Sequence, residues 1–200
     1  MNAPLLHEKQ DDLRIIRLVN HLYDLQRNAN RTSHARRALA ELRRGLRGDP
    51  RDQLVVGKHV VPFLGEMKQP DEGWFYLVAA LFASHPLPTE GMSLGKAFQR
   101  IKDDSGSTEK RFLNIVAADA DHLRPLLRQA VALLAINRRP VGLDWKMLLY
   151  DLLAWDRQEL PVQHRWAREF FQKSSNDDDA ADNTRLSDDD ITQGDTNDEN

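Results

Sequence analysis

The stretch from Gly73 to Ser84 is almost wholly apolar, and it constrains the fold of this chain more than any other segment. It reads as a buried helix, and the prolines in the following residues 85–88 would end that helix. Apolar residues recur at helical spacing elsewhere, whereas no useful stretch alternates apolar and polar residues as a half-buried strand does. The sequence therefore predicts an all-α protein built around a central buried helix.

Helix-starting and helix-breaking residues predict about eight to nine helices in total. Ser33, Ser93 and Asp144 stand where helix caps are expected, and either Asp119 or Asp121 would cap a further helix. These positions set the expected order of the helices along the chain.

A proline- and glycine-containing segment at residues 86–91 is a candidate boundary between two small helical bundles. We expect residues 1–88 to form an N-terminal bundle that contains an arginine-rich helix. Residues 89–173 would then form a C-terminal bundle, and residues 174–200 would be a tail outside both.

Charge is distributed unevenly along the chain. Residues 174–200 include ten acidic side chains and one basic side chain, Arg185. This segment has too few apolar groups to offset the entropy lost on ordering, so we expect a disordered acidic tail. Residues 1–173 contain 27 basic and 21 acidic side chains, a net charge of about +6. A basic body of this kind points to a polyanionic partner.

Sequence signals of catalysis and metal binding are missing. The seven histidines form no HExxH motif or other close ligand pair, and no cysteine is present to bind zinc. No phosphate-binding glycine loop or nucleophile elbow occurs, and the acid pair Asp103-Asp104 is interpreted as a solvated loop. We therefore expect no catalytic residue, no metal and no cofactor. Because no secretion signal or membrane-spanning run is recognised, we expect a cytoplasmic protein without membrane contact.

Arginine is concentrated in the second predicted helix. Arg36, Arg43 and Arg47 are spaced by seven and four residues, so they would share one helix face. Arg37 and Arg44 would flank that face. Guanidinium groups pair with phosphates in a fork geometry that lysine lacks, so a row of them can neutralise successive phosphates. A solvated helix face is the alternative interpretation.

Two further basic sets follow in the second half. One surrounds a polar loop and the start of the next helix, where free backbone N–H groups also favour anions. Its members are Lys96, Arg100, Lys102, Lys110 and Arg111. The other combines a helical arginine with two loop arginines: Arg128, Arg138 and Arg139. The aromatic residues fall mostly in apolar helical stripes, so we expect them to pack in the core and not to stack on bases. We therefore expect the basic side chains to contact the nucleic-acid backbone without recognising its sequence.

Several motifs in the second half, taken in order, resemble the small subunit of the type I-E CRISPR Cascade complex, the CasB family. They are Gly91–Ala97, Glu109–Phe112, Leu126–Arg128, Pro140–Trp145 and Leu152–Trp155. The elements Ser-Leu-Gly-Lys-Ala and Leu-Asp-Trp are the most specific of these. The likeness extends over roughly residues 14–172, is firmest over 91–171, and leaves out the acidic tail.

The resemblance implies a non-catalytic, all-helical subunit of an RNA-guided antiviral surveillance complex. Its partners would be other Cascade subunits, a second copy stacked head to tail, guide RNA and target DNA. Its basic surface would help to hold the guide–target region and the displaced strand of the R-loop, whereas sequence reading and cleavage would belong to other proteins.

The resemblance also assigns nucleic-acid contact to particular residues by motif position. These are Lys96, Lys110, Arg111 and Arg128, and more loosely Arg36, Arg37 and Arg43. The remaining candidates, Arg138 and Arg139 among them, rest on the charge argument alone.

Two other functions stay open from the sequence. A helical adaptor could use the same arginines on acidic protein surfaces, and an enzyme could assemble a site from residues distant in the chain. Binding that weakens steeply with salt would indicate phosphate contacts, because nucleic acid releases condensed counterions when it is bound. Incubation of labelled DNA and RNA with a divalent metal would test for an enzyme.

The acidic tail either competes with nucleic acid for the basic body or serves solubility alone. Residues 174–200 carry a net charge of about −9, and a tethered polyanion competes at high effective concentration. Competition predicts that a chain ending at Lys173 binds nonspecific DNA more tightly than the full chain at low salt. The difference should narrow as salt screens both interactions. Titrations of both chains check this, and equal affinities at every salt concentration would leave only the solubility role.

Overall fold

The computed structural model describes residues 3–67 and 69–172, with side chains for residues 10–67 and 71–172. The described residues form nine α-helices, one short 3₁₀ helix and no β-strand, which confirms the predicted all-α fold. The helices are α1 Ala3–Asn28, α2 Ser33–Arg44, α3 Pro50–Leu64, α4 Gln69–Ser84, α5 Leu94–Arg100, α6 Ser107–Val116, α7 Ala120–Ile136, α8 Trp145–Leu153 and α9 Pro161–Phe171. The predicted disordered tail, residues 174–200, lies outside the described residues.

Side-chain caps start several of these helices. Ser93 caps α5 and Asp144 caps α8, as predicted, and Asp119 is the cap of α7. Each of the three accepts a hydrogen bond from the backbone N–H three residues further on. The prediction that Ser33 caps α2 is wrong. Thr32 has the extended backbone of a cap and its hydroxyl accepts the hydrogen bond, so Ser33 is already helical.

Helix α4 lies at the centre of the fold. Its apolar side chains from Trp74 to Ala83 are buried, with the half-buried Tyr76 as the exception. Helices α1, α2, α3, α7 and α8 all contact it. The predicted central buried helix is thereby confirmed, although it begins at Gln69, ahead of Gly73.

The segment that follows α4 pairs with the segment that precedes α8. The backbone N–H of Leu143 donates to the Leu87 carbonyl (3.2 Å), and the Leu143 carbonyl accepts from the N–H of Thr89 (3.0 Å). A Cβ atom on Gly142 would collide with the Leu87 carbonyl and the Thr89 hydroxyl. Glycine is therefore needed where these two segments lie side by side.

Asp144 adds two hydrogen bonds that hold the same two segments together. Its backbone N–H donates to the Met92 carbonyl (2.8 Å), and its Oδ2 accepts from the N–H of Gly91 (2.9 Å). The carboxylate thus caps α8 with one oxygen and holds the loop before α5 with the other. The sequence element Gly-Leu-Asp-Trp is a packing and capping unit.

Gly95 allows a close contact between α5 and α9. A Cβ atom there would stand 2.5 Å from the carbonyl oxygen of Trp166 and 2.8 Å from its Cα. Ser93, at the start of the same element, donates a hydrogen bond to the Glu169 carboxylate on α9. The Ser-Leu-Gly element is thereby explained as the surface on which α9 packs.

The buried residues of both halves belong to one hydrophobic cluster, and the described residues up to Phe170 form one compact unit. Phe82 of α4 illustrates the continuity, because its ring meets that of Trp145 edge to face with centroids 5.6 Å apart. The division into an N-terminal bundle of residues 1–88 and a C-terminal bundle of residues 89–173 stays a prediction.

Substitution of Trp145 by alanine should chiefly lower stability. The side chain is fully buried between α4 and α8, so truncation leaves a cavity that costs about 3–5 kcal/mol of the free energy of unfolding. The adjacent Lys146 is exposed, and Lys146→Ala should change stability by no more than about 0.5 kcal/mol. Urea unfolding of both variants measures this. An unchanged unfolding midpoint for Trp145→Ala would contradict the core assignment.

Candidate nucleic-acid interface

Helix α2 separates apolar and basic residues onto opposite sides. Its buried residues are Ala35, Ala38, Leu39 and Leu42. Its predicted contact residues are all exposed: Arg36, Arg37, Arg43 and Arg44. The periodicity of the sequence therefore predicted the basic face correctly for these four.

Arg47 does not continue this face. The α-helix ends at Arg44, and residues 45–47 turn as a 3₁₀ helix that Gly48 terminates with a left-handed backbone conformation (φ 79°). Because a 3₁₀ turn winds more tightly than an α-helix, the spacing of four residues no longer keeps Arg47 in line with Arg43. The prediction that Arg36, Arg43 and Arg47 share one helix face is wrong for Arg47.

The four arginines of α2 differ in their partners. Arg37 pairs with Glu41 (Nε to Oε1, 3.1 Å), and Arg44 pairs with Asp52 (Nε to Oδ1, 2.7 Å). Within residues 10–67 and 71–172, neither Arg36 nor Arg43 has a carboxylate within ion-pair distance. Arg43 Nε does donate to the backbone carbonyl of Leu39 (3.3 Å), but among the described residues the charges of Arg36 and Arg43 are not offset by a carboxylate.

Glu41 is shared by several basic side chains. His59 Nε2 lies 2.9 Å from Glu41 Oε2, and the ammonium of Lys58 lies 3.7 Å away. The hydrogen bond from His59, together with that from Arg37, lowers the pKa of Glu41 to about 2. The carboxylate is therefore ionised at neutral pH and offsets part of the positive charge on this side of α2.

The second basic set lies on and between α5 and α6, which contact each other. All five of its members are exposed: Lys96, Arg100, Lys102, Lys110 and Arg111. Lys102 pairs with Glu109 (3.4 Å) and lies over the ring of Phe170 (4.9 Å to the centroid). Lys96 Nζ donates to the Gly91 carbonyl (3.1 Å), so these two side chains also have local structural contacts.

The polar loop between α5 and α6 is ordered by Asp103. Its carboxylate accepts hydrogen bonds from the hydroxyls of Ser105, Ser107 and Thr108 (2.6–3.3 Å). The same bonds, that of Ser105 first, lower the pKa of Asp103 to about 2. The Asp103 carboxylate therefore stabilises the loop, which agrees with its interpretation as a loop residue.

The third set is not one surface. Arg138 and Arg139 are exposed in the turn after α7, where the N–H of Arg139 donates to Asn137 Oδ1 (3.3 Å). Arg128 instead is half-buried and lines a cavity together with Arg124. Arg124 was not among the sequence-based candidates, although its position four residues before Arg128 places both on one face of α7.

Among the side chains of residues 10–67 and 71–172, no group of three or more histidine, aspartate or glutamate residues is arranged to hold a metal ion. No helix in the described part of the chain is both long and apolar enough to cross a membrane. The geometry that stands out is thus a helical scaffold with exposed, partly unpaired cations.

Sequence comparison places this scaffold in a known class, the CRISPR-associated proteins. The sequence model of the family described as CRISPR-associated protein Cse2 matches residues 38–171. A CRISPR-associated protein Cse2 of Thermus thermophilus is 40 % identical over 140 residues, which cover 67 % of this chain and 78 % of that protein. The chain belongs to the Cse2 (CasB) family, which confirms the resemblance seen in its motifs.

Solved structures share the fold. A Cse2-family protein from Thermus thermophilus has a TM-score of 0.66 at 37 % identity, covering 77 % of this chain and 97 % of its own. A second structure from this organism, described as CasB, has a TM-score of 0.63 at 35 % identity, covering 76 % and 96 %. A chain of a CRISPR RNA-guided surveillance complex has a TM-score of 0.57 at 26 % identity, covering 80 % and 92 %.

Two arginines of α2 should differ sharply in their effect on stability. Arg44→Ala leaves the buried Asp52 carboxylate without its partner and should cost about 1–3 kcal/mol of the free energy of unfolding. Arg36→Ala removes an exposed cation and should change it by no more than about 0.5 kcal/mol. Thermal and urea unfolding distinguish the two. Equal losses would show that the Arg44–Asp52 pair has no structural role.

Proposed function

We propose that this chain is the non-catalytic small subunit of a type I-E Cascade surveillance complex and holds nucleic-acid backbone within it. Its partners would be other Cascade subunits, a second copy of itself, the guide RNA and the target DNA. The observation that carries the proposal is the set of exposed cations that have no carboxylate partner among the described side chains, on a fold of the Cse2 family.

The unpaired cations come from all three basic sets. In the part of the chain with described side chains, those outside ion-pair distance of any carboxylate include Arg36, Arg43, Arg100, Lys110, Arg111, Arg138 and Arg139. An exposed guanidinium or ammonium group that no carboxylate neutralises loses little when it binds phosphate, and each contact releases a condensed counterion. Such residues supply affinity for the backbone without carrying sequence information.

The interior of the protein argues against base recognition. All four tryptophans are at most 5 % exposed: Trp74, Trp145, Trp155 and Trp166. Base stacking needs an accessible aromatic face, and these rings are used in packing instead. Binding by charge, without preference for sequence, is the mode that the surface supports.

This mode suits an R-loop. Opening a duplex against a guide RNA is a nearly balanced exchange of base pairs, so modest contacts with the backbone can tip it. A basic surface that holds the displaced strand removes that strand from competition for re-pairing. In the proposed complex, other subunits would read sequence and a separate nuclease would cut.

Neutralising Lys110 and Arg111 together should weaken binding of single-stranded DNA of any sequence. Both side chains are exposed at the start of α6 and lack carboxylate partners among the described residues. The slope of log affinity against log salt should flatten by about one unit for each phosphate that the variant no longer neutralises. Fluorescence anisotropy at several salt concentrations measures both quantities for the Lys110→Gln, Arg111→Gln double variant.

Arg157 and Arg168 provide a matched control. They are also exposed, lie outside the three basic sets, and their double substitution by glutamine removes the same charge. Equal weakening by the two double variants would show that only net charge matters and that α6 is no interface. Weakening for one DNA sequence alone would contradict backbone-directed binding. Wild-type binding that is insensitive to salt would favour the adaptor hypothesis instead.

A further inference from the structure

A small cavity lies where α3, α4, α7 and the 3₁₀ turn after α2 meet. Its volume is about 230 Å³. The lining residues that matter for its chemistry are Gln53, Glu72, Gly73, Tyr76, Arg124 and Arg128. Pockets that enclose drug-sized ligands measure about 300–1,000 Å³, so this cavity suits a smaller group. Two arginines facing one small cavity call for an anion.

Arg124 is held in place against α4. Its guanidinium carbon lies 4.3 Å from the centroid of the Trp74 ring, a cation–π contact. A Cβ atom on Gly73 would stand 2.7 Å from Nη2 and 2.8 Å from Nη1 of Arg124. A side chain at position 73 would therefore displace the guanidinium from its place. The charge is positioned by packing and, among the described residues, by no carboxylate within 4 Å.

Arg128 has an unsatisfied donor. Its Nε is inaccessible to solvent and has no hydrogen-bond partner among the described residues. A buried donor left unpaired is unfavourable, and such groups are rare in folded proteins. A guanidinium binds an oxyanion most strongly when Nε and one Nη donate to two of its oxygens, and Arg128 both lines the cavity and has its Nε unused. Arg128 thus has both the charge and the free donor that an oxyanion requires.

Glu72 limits the charge of the anion. With Arg124, Arg128 and Glu72 ionised, the lining carries a net charge of about +1. A phosphodiester carries one negative charge, whereas a terminal phosphate carries nearly two. Burial, and then Glu72, raise the pKa of Tyr76, so its hydroxyl stays protonated and can donate a hydrogen bond. The lining matches a singly charged group with several acceptor oxygens.

We propose that this cavity is a binding site for one phosphodiester group of a nucleic-acid strand, with Arg124 and Arg128 as its ligands. The proposal rests on the proposed function and adds a fixed anchor point to it. Gly45, which also lines the cavity, directly follows Arg44 at the end of the exposed arginine face of α2. A nucleic-acid strand carries one phosphodiester at every nucleotide, so the proposal commits to a strand as the occupant and not to an acidic side chain of a protein.

Two substitutions in the cavity should change DNA binding in opposite directions. Arg128→Gln in the full chain should weaken binding of a single-stranded oligonucleotide about tenfold, the effect of removing one charge-assisted bidentate interaction. Glu72→Gln should tighten it about threefold, because it removes a like charge next to the phosphate. Arg157→Gln is the matched control at an exposed position and should change affinity less than about twofold.

The Glu72 variant keeps the test valid if Arg128→Gln does not fold, because Glu72 lies in the first turn of α4 and is only half-buried. Anisotropy titrations give the affinities, and circular dichroism confirms the helical content of each variant. Unchanged affinity for both cavity variants would overturn the proposal. If Lys110→Gln, Arg111→Gln still weakens binding in that case, the proposed function stands and only the cavity site is refuted.

The Trp74 indole reports on the cavity directly, because Arg124 lies over its ring. In protein labelled with ¹⁵N at tryptophan, Trp74→Phe identifies the Trp74 Nε1–H signal. A thymidine dinucleotide with one internal phosphodiester should shift this signal in a saturable manner, and its neutral methylphosphonate analogue should not. Equal shifts with both dinucleotides would overturn the proposal. So would a shift with hexaglutamate but none with the dinucleotide, which would indicate a protein carboxylate as the ligand.

Discussion

Helix α4 packs against five other helices, and the burial of its apolar side chains is the interaction on which the rest of the structure depends. Residues from Trp74 to Ala83 contribute a nearly continuous buried surface, which neighbours on all sides must cover. Burial of a large apolar side chain is worth about 1.5–3 kcal/mol. Because α1, α2 and α3 pack on α4 together with α7 and α8, the first and second parts of the chain share one hydrophobic core.

This arrangement decides where the cations can lie. A helix that packs one side on α4 has its other side in water, and charged side chains are costly to bury without partners. The arginines of α2 are exposed for this reason. Two of them have carboxylate partners: Arg37 pairs with Glu41, and Arg44 pairs with Asp52. Arg36 and Arg43 have no such partner within the described structure. Composition alone counts these four arginines as equal, but their surroundings make them different.

Two glycine-containing elements have a structural explanation that is independent of nucleic acid. Gly142 allows the segment before α8 to lie close beside the segment after α4, and Gly95 allows α9 to approach α5. Both are places where a Cβ atom would meet backbone, so no larger residue fits without movement. The glycine-containing elements that match the family in sequence are thus explained mainly by helix packing. The residues that would contact nucleic acid carry weaker sequence signals, because an exposed charge is compatible with many positions.

Local patterns in the sequence predict the helical class, the central buried helix, the caps Ser93 and Asp144, and the exposed face that carries Arg36 and Arg43. These features depend on local periodicity and on hydrogen bonds between neighbouring residues, which a linear pattern contains. The cap at Thr32 and the turn of Arg47 away from α2 show the limit of this argument, because helix ends shift by one or two residues without a change in pattern. Which charges are paired and which enclose a cavity depends on the packing of separate helices. Asp52 reaches Arg44 across a turn, and Arg128 lines one cavity with Arg124 and Glu72 because α7 packs on α4. Proximity along the chain instead groups Arg128 with Arg138 and Arg139. The physical reason for the difference is that pairing and burial depend on distances between separate helices, and those distances follow from how the whole core packs.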